Sequence, residues 1–277
     1  MQSLASNNLV RLSIIVVYWT DLVEVGRPVY HWENMSAPSG LGDNERISPK
    51  PSGIGLLQET SLHAALKAWY MHHGDQVEVP IDGFVVDIVR GELLIEIQTR
   101  HFSSLKQKLT RLIQRHPVRL VYPIPQEKWI VRLAADGLTP ISRRKSPKRG
   151  RVEHIFLELV SFPQLVTQPN FSVEVLLTRE EEVWQDDKRG SWRRKGWSIA
   201  DRRLVNIVAS ILLESPGDFL ALLPPELPNP FTTLDLARAL NQPRYLAQKM
   251  AYCLRAMGAV EVVGKQGKAW LYQIGGG

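Results

Sequence analysis

The stretch Gly74–Gln98 constrains this chain more than any other. It holds two short apolar runs, Phe84–Val89 and Leu93–Gln98, on either side of Arg90-Gly91-Glu92. Runs of this length, rich in Val and Ile and divided by a glycine turn signal, predict two strands of a hairpin. Each run carries an acid among apolar neighbours, Asp87 in the first and Glu96 in the second. Gln98 stands two residues beyond Glu96 and so shares its strand face. Flanks that are apolar on both faces read as a buried sheet, where an unpaired carboxylate is costly. Two carboxylates on neighbouring strands repel unless something positive lies between them, and a divalent cation with oxygen ligands suits that place. The plainer alternative is a pair of surface acids on an edge strand.

Around the hairpin the pattern changes period. Leu57, Leu62, Leu66 and Trp69 recur at helical spacing and predict a helix over residues 56–73, with Glu59 in its first turn. Gln76–Ile81 predicts a further strand. Residues 101–116 carry Phe102, Leu105, Leu109, Leu112 and Ile113 on one face and Lys106, Lys108, Arg111 and Arg115 on the other, a second helix stopped by Pro117. Val118–Ile124 is nearly all apolar, as a strand inside a sheet is. Helix, three strands, helix and strand together predict an α/β fold, a mixed sheet covered by helices. Beyond it, Trp129–Leu133 and Phe171–Leu177 predict strands, Ile155–Phe162 a helix, and Asp201–Leu213 an amphipathic helix. Ser142–Arg151 reads as a solvated basic loop and Glu180–Glu182 as an exposed acidic run. Residues 1–52 have loop composition over much of their length and read as a flexible tail.

The acids on this frame resemble the PD-(D/E)xK nuclease superfamily, whose fold includes type II restriction endonucleases and Holliday-junction resolvases. The resemblance covers residues 58–124. The family sets an acid on one strand and acid-x-Lys on the next. Asp87, after Gly83-Phe84-Val85-Val86, matches the first position, and Glu96-Ile97-Gln98 matches the second. Glu59 matches the acid that many members carry on the first helix. The resemblance implies a restriction-endonuclease-like domain over residues 53–223 and hydrolysis of phosphodiester bonds with Mg²⁺ (or Mn²⁺). It implies Asp87, Glu96 and the Ile97 carbonyl as metal ligands, and Asp87, Glu96, Gln98 and Glu59 as the catalytic set. Gln98 stands where the family usually has lysine. Glutamine orients water but brings no charge to a transition state. Some restriction endonucleases of the family also use Gln there, and Lys106 or Lys108 on the next helix is a candidate replacement.

Residues 224–230, Pro-Pro-Glu-Leu-Pro-Asn-Pro, read as a linker, and residues 231–277 after it resemble a winged helix-turn-helix domain. Thr232-Thr233 caps a helix through Leu240. Asn241-Gln242-Pro243 turns the chain into a helix over residues 243–257, which ends at Gly258. A hairpin follows around Gly264–Lys268. The resemblance implies that Arg244, Tyr245, Gln248 and Lys249 meet the major groove and that Lys265, Gln266 and Lys268 meet phosphates. Protein docking is the alternative use of such a module.

The 34 Lys and Arg against 28 Asp and Glu leave a net charge of +6. The excess gathers in Arg143, Arg144, Lys145, Lys148 and Arg149, and again in Arg193, Arg194 and Lys195, where Trp192 and Trp197 offer faces for base stacking. These features together predict duplex or branched DNA as partner and a nuclease of repair, recombination or defence. A homodimer is expected if cuts are paired. The alternative is a DNA-binding protein built on a decayed nuclease core. Cys253 is the single cysteine, so no intrachain disulfide and no multi-cysteine zinc site is expected, and a reducing cytoplasm is the inferred compartment. Leu12–Trp19 falls far short of the ~18 apolar residues a membrane span needs.

Overall fold

The hairpin forms where the sequence predicts it, and a large mixed sheet grows from it. The computed structural model describes residues 61–190 and 192–275, without the side chain of Arg193. The tail expected over residues 1–52 lies outside the described residues, and so does Glu59. Strands β1 (Gln76–Ile81), β2 (Phe84–Arg90) and β3 (Leu93–Ile97) make an antiparallel meander. Asp82 and Gly83 join β1 to β2 with φ of 49° and 85°. Positive φ at both central residues is the tight-turn geometry that matches strand twist.

Helix α1 (Ser61–Tyr70) precedes the meander, and a 3₁₀ turn with helix α2 (Lys106–Leu112) follows it. Strand β4 (Val118–Leu133) then runs parallel to β3, with Leu94 beside Val118 and Ile97 beside Val121. Strand β5 (Pro140–Lys145) folds back on the far end of β4. Strand β6 (Phe171–Gln185) runs parallel to β4, and β7 (Ser198–Leu213) closes the sheet antiparallel to β6. The spatial order is β1-β2-β3-β4-β6-β7, with β5 attached to β4. The chain is therefore α/β, a large mixed sheet flanked by helices.

The two sheet faces have separate cores. On one, Leu62, Leu66 and Tyr70 of α1 pack on Ile88, Ile95, Ile97, Val121 and Leu176. On the other, Phe102 stacks on Phe162 with ring centres 5.5 Å apart and meets Tyr122 edge-on at 4.9 Å. The second core includes Phe156 of helix α3 (Phe156–Leu159) and continues into the C-terminal segment. That segment comprises α4 (Pro216–Leu220), α5 (Thr233–Leu240), α6 (Arg244–Ala256) and a two-stranded sheet of β8 (Val260–Gln266) and β9 (Ala269–Ile274). Thr232 caps α5 by accepting from the Asp235 N–H. Leu227 of the Pro-rich stretch is buried in the same core, so the chain crosses to α5 without leaving the body.

Several segments differ from their sequence reading. Asp201–Leu213 is strand, not helix. Its Val and Ile residues suit either period, and the long open edge of β6 takes it as a partner. The first four residues of the expected basic loop belong to β5, and its Arg143 and Lys145 lie in a ladder with β4. Glu180 and Glu182 are buried inside β6, at 1% and 4% exposure, because the strand runs eight residues past Leu177. The helices expected over residues 101–116 and 155–162 are each broken into a 3₁₀ turn and a shorter α-helix.

Pro123 and Pro125 fall within β4, where a missing N–H is usually excluded from a central strand. Here β3 has ended beside Val121 and β5 begins only at Trp129, so one edge of β4 is open across both prolines. Gly150 covers this gap by donating its N–H to the Pro125 oxygen at 2.9 Å. A Cβ at Gly150 would lie 2.5 Å from that oxygen, so only glycine approaches so closely. Among the described residues, no helix is long and apolar enough to cross a membrane.

Phe102 joins the sheet, α2 and the turn after α3. Phe102→Ala is expected to cost about 3–5 kcal/mol in urea unfolding. A loss below about 1 kcal/mol would contradict this account of the core.

Candidate functional site

Asp87 and Glu96 occupy the rung at which β2 and β3 part. Their ladder runs Arg90–Leu93, Val89–Leu94 and Ile88–Ile95, and the two acids stand one residue further on. Asp87 turns its carboxylate into the opening, where Oδ2 accepts the Ile97 N–H at 2.8 Å. A side chain thus takes the hydrogen bond that the strand would otherwise have made.

Helices on both faces send basic side chains to this rung. From α1, His63 Nε2 lies 2.9 Å from the Ile97 carbonyl oxygen and 3.4 Å from Asp87 Oδ2. Both neighbours are acceptors, so Nε2 carries the proton and donates. One helical turn on, Lys67 Nζ stands 3.0 Å from Glu78 Oε1 and 3.8 Å from Asp87 Oδ1. From α2, Lys108 Nζ pairs with Glu96 Oε2 and donates to the Val85 oxygen at 2.6 Å. Lys108 is therefore the lysine that meets the acids, of the two that α2 offers.

The two acids titrate apart. Burial pushes Asp87 up, but hydrogen bonds from His63 and the Ile97 N–H, with Lys67 nearby, hold it below the ordinary carboxylate value. Burial pushes Glu96 up, the charge of Asp87 adds to this, and Lys108 only partly opposes them, leaving it at about 7. Environments that separate two neighbouring acids in this way are common at functional sites.

The remaining expected residues divide. Gln98 does not face the acids: its amide donates to the Arg100 oxygen and, at 3.3 Å, to the His101 oxygen and Ser104 Oγ. It fixes the turn after β3. Arg143 bonds Glu181 Oε1 at 2.7 Å and lies over Trp129, Lys145 bonds Glu127 Oε1 at 2.8 Å, and Arg149 pairs with the same Glu127 oxygen. Arg144 and Lys148 are exposed. Arg194 donates to the Trp197 oxygen at 3.1 Å, Lys195 is exposed, and Arg193 has no described side chain.

In the C-terminal segment, Arg244 is exposed beside an open cleft of about 470 Å³. Lys265 Nζ lies 4.3 Å from the Trp270 ring centre, and Lys268 is exposed. Lys249 points inward and donates to the Leu157 oxygen at 3.0 Å, so it ties α6 to α3 and is not on the outer face. His63 and Lys67 join the site without being among the expected residues. Their spacing of four, which sets both on one helix face, was the available signal.

Glu96 fixes a pH signature of stability. Its folded pKa of about 7 exceeds its ordinary 4.5, so between these values the folded protein holds a proton that the unfolded chain has lost. That stabilising contribution is complete below the lower value and is lost as pH rises through the upper one. Asp87 has the opposite sign at lower pH. Relative to Glu96→Gln, the wild type is expected to lose stability from about pH 5 to about pH 7, by at most ~1.4 kcal/mol per pH unit. A pH-independent difference in urea unfolding would contradict this.

A family model described as "Domain of unknown function (DUF8091)" matches residues 60–214, more than half of the chain. The match runs from the start of α1 to the end of β7. An uncharacterized protein of Treponema pallidum (strain Nichols) is 32% identical over 186 residues, covering 67% of this chain and 74% of the relative. No solved structure matches the chain. By the extent of the family match and of this relative, the chain belongs to the DUF8091 family.

Proposed function

We propose that this protein is a divalent-metal-dependent DNA endonuclease, with a restriction-endonuclease-like core and a winged helix-turn-helix C-terminal segment. The observation that carries the reading is the Asp87–Glu96 rung with Lys108 drawn into it. The donor set suits Mg²⁺ or Mn²⁺. The Ile97 carbonyl and Asp87 Oδ2 already converge on one donor atom, His63 Nε2, and Glu96 stands next to them with its charge opposed by burial and by Asp87. Asp87, Glu96 and the Ile97 oxygen would hold the ion, which supplies Lewis-acid polarisation of a phosphate and acidifies a water.

The chain's own groups have definable parts. Lys108 supplies the fixed positive charge that Gln98 cannot, next to where a phosphate's charge would grow. His63 and Lys67 hold the Asp87 carboxylate in one orientation. Gln98 shapes the turn after β3 and is not the substitute for the family lysine. In the C-terminal segment, Arg244, Tyr245, Gln248, Tyr252 and Arg255 form the outer face of α6 and suit a DNA groove.

One observation favours a second reading, a DNA-binding protein without catalysis. Lys67 and Lys108 stand against the two carboxylates and His63 donates to Asp87, so the chain's own groups already meet both acids. A cleavage panel separates the two. With Mg²⁺ or Mn²⁺, the wild type is expected to cut duplex, single-stranded or branched DNA. Asp87→Ala and Glu96→Ala are expected to abolish cutting, and Lys108→Ala to lower kcat by roughly 10²-fold. Undiminished cutting by both acid variants would sink the assignment. Tight DNA binding with no cutting of any substrate by the wild type would favour the second reading.

A further inference from the structure

Strands β4, β6 and β7 continue well past the end of β3, and this extension carries arginines beside buried acids. Arg132 stands beside Trp184, and Arg202 beside Glu182, in the strand register. Arg100 follows the end of β3 by three residues. Glu182 accepts from Lys128 Nζ at 2.6 Å on one oxygen and from Trp184 Nε1 at 2.8 Å on the other, and the charge of Arg202 also acts on it. Glu180 accepts from Thr178 Oγ1 at 2.6 Å and is 1% exposed.

Among the described residues, none of Arg100, Arg132 and Arg202 forms an ion pair with an acid. The Nε atoms of Arg132 and Arg202 are buried with no hydrogen-bond partner. The Arg132 guanidinium instead lies over Trp197, 5.0 Å from the ring centre, and over Trp184 at 5.8 Å. Partial burial, and then the charge of Arg202, lower the pKa of Arg100, while the charge of Glu182 acts the other way. Two contacts tie Arg100 and Arg202 to the elements that carry the acid rung. The Gln98 amide fixes the turn that carries Arg100, and Ser61 Oγ at the start of α1 donates to Asp201 Oδ2 at 2.7 Å, next to Arg202.

We propose that Arg100 and Arg202 form a seat for a backbone phosphate of a nucleic acid, near the strands that carry Asp87 and Glu96, with Arg132 further along the same sheet. Unpaired guanidinium groups present planar forks that match phosphate oxygens. A polymer fits better than a free anion because the loop that holds Trp197 also presents Trp192, 83% exposed, as a stacking surface for an adjacent base. The proposal rests on the nucleic-acid reading of the acid rung and names how that partner is held.

The test is the salt dependence of binding to fluorescein-labelled DNA, duplex and single-stranded, with EDTA present so that no cleavage is needed. Arg100→Ala and Arg202→Ala are each expected to reduce the slope of log K against log salt by about one. The double variant is expected to bind on the order of tenfold more weakly at low salt. Arg202→Lys, which keeps the charge, is expected to keep the slope, a result that a merely structural role would not give.

An unchanged slope and affinity in the double variant would overturn the proposal. So would a wild type that binds inorganic phosphate but neither form of DNA, or equal losses in Arg202→Lys and Arg202→Ala. Reduced slopes with no cleavage under Mg²⁺ would keep the seat and remove the catalytic reading. Cleavage that needs Glu96, with slopes unchanged in the double variant, would do the reverse.

Discussion

A carboxylate inside a sheet costs several kcal/mol unless a cation or donors meet it, and two on adjacent strands cost more. Asp87 and Glu96 impose this constraint where β2 and β3 separate. The chain meets it from both sides of the sheet. His63 and Lys67 descend from α1 to Asp87, and Lys108 rises from α2 to Glu96. The helices are held over the rung by apolar packing, Leu62 and Leu66 on one face and Leu109 and Leu112 on the other. Charge balance at the centre thus depends on the packing of both layers.

The same division of the sheet explains the rest of the architecture. On one side of the rung, β3 ends and β4 loses a neighbour, which is where Pro123 and Pro125 are tolerated and Gly150 is required. Past this gap the long strands carry their own charges, with Glu127 gathering Lys145, Arg149 and Arg179. The C-terminal helices complete the core on the α2 side. Arg151 donates to the Leu240 oxygen at 3.1 Å and Lys249 to the Leu157 oxygen, so polar contacts reinforce the apolar ones there.

The acid rung was legible in the sequence because strand alternation and a short turn leave little freedom for Asp87 and Glu96. The parallel step from β3 to β4 was legible from an apolar run after a helix. Other features depend on partners distant in sequence. Whether Asp201–Leu213 is helix or strand turns on the free edge of β6, not on its own pattern, which suits both periods. Arg143 and Lys145 read as solvated cations until Glu181 and Glu127 are brought beside them. The inward turn of Lys249 depends on a carbonyl of α3. Lys108 could be narrowed to one of two lysines by helix face, but only packing selects it.

Under the proposed function, Asp87, Glu96 and the Ile97 oxygen would hold a divalent cation. Isothermal titration of Mn²⁺ into the metal-free protein, without nucleic acid, tests it directly. The account predicts binding at one site in the wild type that Asp87→Asn removes while the thermal unfolding midpoint stays near that of the wild type. Equal binding by wild type and variant, or no binding by the wild type, would contradict it.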